Sequence, residues 1–105
     1  MRAKPGEIWL ADLGIAAKTR PILIVSRDDA DPPRVLLLYV PLTRQNRGSA
    51  YEVEMKDVRF LNELSYANVQ GLGSLPPARL ERLLGRLSPE LYAKVKNALR
   101  FALDL

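Results

Sequence analysis

The chain has no cysteine and no histidine. Without cysteine there are no disulfides and no thiolate metal sites, so stability must come from packing and from association with other chains. Without histidine the usual general base at physiological pH is missing, and so is the commonest zinc ligand. No metal or cofactor is therefore expected, and any catalysis must run on Arg, Thr, Ser, Tyr, Lys or carboxylates. Long apolar runs are also lacking. No stretch reaches 18 residues, and the opening Met-Arg-Ala-Lys-Pro-Gly has no apolar secretory segment. No membrane association is expected, and the expected location is the cytoplasm. Aromatic residues make up only 7% of the sequence, with a single tryptophan, Trp9.

What is present is ordinary for a soluble globular protein: 105 residues, 48% hydrophobic and 27% charged. This length makes one domain, 1–105, with a modest core. Sixteen Lys and Arg against twelve Asp and Glu give a net charge of +4, which permits an anionic partner without requiring one. Arg outnumbers Lys, and its planar fork suits phosphate better than a point charge does. A high genomic GC content would produce the same bias.

Hydrophobic patterning outlines several short strands and one helix. Gly6 to Leu13 reads as a first strand, with Ile8 and Leu10 on one face and Trp9 on the other. The next run, Pro21 to Ser26, is opened by Arg20. A third run from Val35 to Leu42 is closed by Thr43, and the turn formers Arg27 to Arg34 lie between them. Tyr51 to Met55 alternates with period two, burying Tyr51, Val53 and Met55. A helical turn is expected around Val58-Arg59-Phe60-Leu61. Ser65 to Leu75 reads as a strand broken by Gly71 and Gly73, followed by a turn at Ala78-Arg79-Leu80 and a last short strand at Leu83 to Leu87. Ser88 is placed to cap a helix that opens with Pro89 and Glu90, and Leu91, Val95, Ala98, Leu99, Ala102 and Leu103 form its apolar stripe. Short strands with one terminal helix point to a mainly β fold, a small and partly open β-barrel.

Two polar residues stand out because no core requires them. If the second and third runs form a hairpin, Arg20 and Thr43 lie at the same rim of the sheet. Pairing Val25 with Val35 sets Arg20 opposite Val40, leaving Thr43 about 10 Å further along the chain unless a longer or bulged loop closes the gap. A guanidinium and a hydroxyl at one rim suggest a phosphate site. The plain structural alternative is that Arg20 pairs with Asp12 or Glu7 and that Thr43 is an ordinary strand-end hydroxyl.

Three segments resemble the MazF/PemK family of toxin endoribonucleases: Gly6-Glu7-Ile8-Trp9-Leu10-Ala11-Asp12-Leu13, Thr19-Arg20-Pro21-Ile22-Leu23-Ile24-Val25-Ser26 and Val40-Pro41-Leu42-Thr43. Ser65-Tyr66-Ala67-Asn68-Val69 and the stretch from Leu80 through Gly85-Arg86-Leu87-Ser88 follow in the family's order. The resemblance covers most of the chain and implies an SH3-like barrel with a C-terminal helix, forming a homodimer. It implies the toxin of a type II toxin–antitoxin system, an mRNA interferase neutralised by a cognate antitoxin protein. The implied chemistry is metal-independent cleavage of single-stranded RNA, leaving a 2′,3′-cyclic phosphate and a 5′-OH. Arg20 and Thr43 occupy the positions of the family's catalytic pair. Arg44, Gln45, Asn46, Arg47 and Ser49 follow at once and are the expected RNA contacts; a solvated hairpin tip would use the same residue types. Trp9 and Tyr66 are further candidates for base stacking, although a small barrel with one tryptophan usually buries it.

The chain departs from the family in two places. The loop Gly14-Ile15-Ala16-Ala17-Lys18-Thr19 is short and has no acidic residue, so neither a lid nor an acidic helper is expected from it. Gln70-Gly71-Leu72-Gly73-Ser74 replaces the family's acidic-Gln pair and basic residue, so cleavage specificity does not carry over. Two rival readings remain open. A gyrase poison like CcdB is one, although the ending Phe101-Ala102-Leu103-Asp104-Leu105 lacks that protein's Trp-Gly-Ile tail. An SH3-like RNA-binding adaptor without catalysis is the other.

Overall fold

The computed structural model describes residues 2–14 and 19–105. Among the described residues, seven strands and one α-helix follow in order: β1 (Glu7–Asp12), β2 (Thr19–Ile24), β3 (Leu37–Thr43), β4 (Glu52–Glu54), β5 (Tyr66–Asn68), β6 (Gly73–Leu75), β7 (Leu80–Arg86) and α1 (Pro89–Leu103). All pairings are antiparallel, in the order β4-β5-β3-β2-β1-β7, with β6 also paired to β3. Among the described residues the sheet does not close on itself; β4, β6 and β7 each pair on one side only. This is the mainly β, partly open architecture expected from the sequence.

Strands β1 to β3 are apolar on both faces because both faces are covered. One face carries Ile8, Leu23, Val40 and Leu42, packed with Val95 and Ala98 of the helix. The other carries Trp9, Ala11, Ile22 and Ile24, closed by Leu75 of β6. Continuous apolar runs, rather than strict alternation, are what two-sided burial demands. Each fully buried Ile or Leu here contributes about 1.5–3 kcal/mol. Trp9 is buried, and its indole N–H donates to Glu7 Oε1 at 3.1 Å, so it is not a stacking surface.

The helix follows its sequence signals. Ser88 Oγ accepts the Leu91 amide at 3.1 Å and Pro89 occupies the first turn. Its stripe is shorter than expected, because Leu103 is 50% exposed at the end of the chain.

Several boundaries differ from the sequence reading. The third run pairs only from Leu37, leaving Val35 and Leu36 exposed at 69% and 43%. The expected strand across Ser65 to Leu75 is two strands separated by a 3-10 turn at Val69–Gly71, both lying against β3. The last strand begins at Leu80 rather than Leu83, directly after a 3-10 turn at Pro77–Arg79. Around Val58 the chain makes one hydrogen-bonded turn, with the Leu61 amide donating to the Val58 carbonyl at 3.2 Å. The shortened loop before Arg20 falls largely on 15–18, outside the described residues.

Candidate active site

The β2–β3 register brings the two singled-out residues together. Ile22 pairs with Pro41, Leu23 with Val40 and Ile24 with Tyr39. The Val25 amide donates to the Leu38 carbonyl at 3.0 Å, in the same register. The sequence-based pairing of Val25 with Val35 is therefore wrong by three residues. The loop between the strands is longer than the turn formers alone indicated, because Val35 and Leu36 belong to it. Counted two residues past its last pair, Ile22 with Pro41, this register leads Arg20 and Thr43 to the same end of the sheet.

Arg20 and Thr43 line one groove of about 750 Å³. Its floor comes from Leu10, Pro21 and Leu42, and the connection from Phe60 to Glu63 lies along it. Arg44 and Arg82 also line it, so three arginines face one space. The one carboxylate in the groove lining among the described residues is Glu63, which pairs with Arg44 at 2.6 Å. Both partners are largely exposed, so the pair contributes little to stability.

The structural alternative for Arg20 has no support among the described residues. Glu7 instead meets Arg86 at 3.5 Å, and Asp12 Oδ1 accepts the Gly14 amide at 2.9 Å. Arg20 is exposed and makes no ion pair among the described residues. Thr43 Oγ1 donates to the Gln45 carbonyl at 3.2 Å, which leaves its lone pairs free to accept. On its other side Thr43 pairs with Tyr66 of β5, which is half-buried.

The loop after Thr43 divides. Arg44 reaches the groove; Gln45, Asn46, Arg47 and Ser49 are exposed and do not line it. Arg47 and Ser49 are held instead by Glu52, which accepts the Arg47 amide at 3.1 Å, the Ser49 amide at 3.1 Å and the Ser49 hydroxyl at 2.9 Å. These bonds hold the Glu52 carboxyl below its usual range, the Ser49 amide contributing most. Arg82, Asn62 and Ser65 reach the groove without having been singled out in the sequence. For Arg82 the missing information is the pairing of β7 with β1, which sets it beside Leu10.

Residues 4–103 match the sequence profile of PemK-like, MazF-like toxins of type II toxin–antitoxin systems. The chain belongs to this toxin family. It is 31% identical over 88 residues to endoribonuclease MazF3 of Mycobacterium tuberculosis, covering 84% of this chain and 85% of that one. It is also 31% identical over 100 residues to the probable endoribonuclease MazF5 of the same organism, covering 94% and 91%. Among solved structures, a mycobacterial endoribonuclease in complex with its cognate antitoxin superposes with a TM-score of 0.87 at 28% identity, covering 99% of this chain and 97% of that one. Of the segments that carry the toxin-family resemblance, three build β1, β2 and the end of β3 and the other two fall on β5 and β7; β1, β2, β3 and β7 all contribute to the groove.

Proposed function

We propose that this chain is the growth-inhibiting toxin of a type II toxin–antitoxin pair, an endoribonuclease that cuts single-stranded RNA, mRNA included, where Arg20 and Thr43 meet. The observation that supports this reading is the groove that Arg20 and Thr43 both line, where the guanidinium has no ion pair among the described residues. The reaction requires no group outside the substrate to form a covalent bond. The ribose 2′-oxygen attacks the adjacent phosphorus as its proton passes to water, the P–O2′ bond forms, and the P–O5′ bond breaks. The departing oxygen takes up a proton, leaving a 2′,3′-cyclic phosphate and a 5′-OH.

Charge accumulates on the nonbridging oxygens as the phosphorus becomes five-coordinate. Arg20 stabilises that charge more than the ground state, which is what lowers the barrier. A guanidinium gives up its proton too reluctantly to act as a proton carrier, so its role is electrostatic. Thr43 Oγ1, its proton engaged by the Gln45 carbonyl, is set to accept a hydrogen bond from the 2′-OH and orient it. Arg44 adds a phosphate contact in the same groove, with Gln45, Asn46, Arg47 and Ser49 meeting the RNA beyond it. The protein acts in the cytoplasm as a homodimer, and a cognate antitoxin shields the groove; no described helix is long and apolar enough to cross a membrane. A single carboxylate already paired with Arg44 is a poor divalent-metal donor set, which supports a metal-independent reaction.

Purified protein tests this directly. Arg20→Ala and Thr43→Ala should each lower the cleavage rate about 10²–10³-fold while folding normally. Wild-type cleavage should persist in excess EDTA and give cyclic-phosphate ends. Unchanged rates in either folded variant would remove that residue from the site, and a requirement for added Mg²⁺ would overturn the mechanism.

A further inference from the structure

A second groove, of about 600 Å³, opens beside the first. Phe60 lines both, and so does the edge strand β7 with the residue that follows it: Arg82 to Leu84 face the first groove, Arg86 and Leu87 the second. Lys56, Arg59 and Lys94 bring three more cations to the second groove, against Asp57 and Glu90. None of these three cations makes an ion pair among the described residues. Lys56, Arg59 and Lys94 are all exposed, so their charges are available to a ligand.

From these features we infer that the second groove holds the phosphates of the RNA strand after it has left the cleavage site, the strand crossing Phe60 along the β7 edge. The inference rests on the nuclease reading above and extends it to a flanking subsite. An RNA seated between Arg20 and Thr43 must leave that groove at one of its ends. At the Phe60 end it meets Lys56, Arg59 and Lys94, none of which is ion-paired to a described carboxylate. Arg82 and Arg86 lie four residues apart on β7, about 13 Å of strand, which spans the divide. Phosphate contacts of this kind position a strand without reading its sequence. A continuous basic track, with an aromatic ring at the crossing, is the arrangement that suits single-stranded nucleic acid. An acidic peptide would meet the same charges, but the aromatic ring at the crossing favours a strand whose bases can stack on it.

The test compares two kinds of RNA containing the same cleavage sequence, mapped first by sequencing the ends of a long cleaved RNA. The short RNA ends next to the cleaved bond; the long ones extend by four nucleotides on one flank or the other. Wild-type protein should bind one extended RNA with a KM at least tenfold below that of the short one. The Arg59→Glu, Lys94→Glu double variant should bring that KM back to the short RNA's value. It should also flatten the salt dependence of the extended RNA's KM, the log–log slope falling by about 0.7 for each phosphate that is no longer neutralised. The charge-neutral Lys94→Gln should give an intermediate KM. Equal wild-type KM values for all the RNAs, or an advantage that survives in the double variant, would overturn the subsite. So would a double variant that weakens only antitoxin binding, since the groove would then be a peptide site. Wild-type protein that cut neither kind of RNA would instead overturn the nuclease reading, and this inference with it.

Discussion

Glu52 shows how one side chain holds a loop that has almost no packing of its own. It accepts the Arg47 amide, the Ser49 amide and the Ser49 hydroxyl, and these bonds lower its pKa. A carboxyl whose folded pKa lies below its unfolded value contributes order above the unfolded pKa and loses it as pH falls through the folded value. The Arg47 and Ser49 amides should therefore be protected from hydrogen exchange at neutral pH and lose protection in acid, below the usual glutamate range. Glu52→Gln should weaken protection at neutral pH and remove its pH dependence; acid-insensitive protection in the wild type would contradict this role. At this scale the sequence was informative where chemistry is unusual and silent where it is common. Arg20 and Thr43 stood out because no core needs them. Arg82 is one of many surface arginines until β7 is laid beside β1.

Elements were legible in proportion to how local their signals are. The helix carries its cap, its Pro89 and its stripe within one stretch of chain, and only its exposed last turn departs from the reading. The β2–β3 hairpin was recognised, but its register was misplaced. Where β3 begins is set by Leu75 pairing with Leu37, an approach of residues far apart in sequence that local patterning cannot reveal. Close approaches were likewise invisible. A Cβ on Gly85 would lie 2.6 Å from the Phe60 ring, so the connection that divides the two grooves rests directly on β7. Gly85→Ala should force that ring away and cost about 1–3 kcal/mol in urea unfolding, as overpacking generally does. It should also raise KM for RNA more than it lowers turnover, because the wall moves and Arg20 does not. A variant with wild-type stability would mean that the ring shifts without strain.

Taken whole, the molecule is a net cation of +4, with the Arg20–Thr43 groove edged by Arg and the second groove by Arg and Lys. Long-range attraction then serves any anionic partner, and two such partners compete where their paths overlap. Arg44→Glu with Arg47→Glu should slow RNA cleavage and weaken antitoxin binding together, and antitoxin affinity should fall as salt rises. If the double substitution abolished cleavage and left antitoxin affinity intact, the antitoxin would occupy another face. The open, mainly β architecture was read correctly from strand spacing. That β1 to β3 are covered on both faces was not, because the covering elements lie far along the chain.

The placement of Arg20 and Thr43 also bears on how such a protein changes over evolutionary time. Both belong to neighbouring paired strands, whereas Arg44, Asn62, Glu63 and the Lys56–Arg59 stretch belong to connections between strands. Insertions and substitutions are tolerated in connections far better than in a hydrogen-bonded ladder with both faces buried. Descendants of this chain are thus free to acquire new RNA targets by altering loops, while the strands that carry Arg20 and Thr43 are inherited intact.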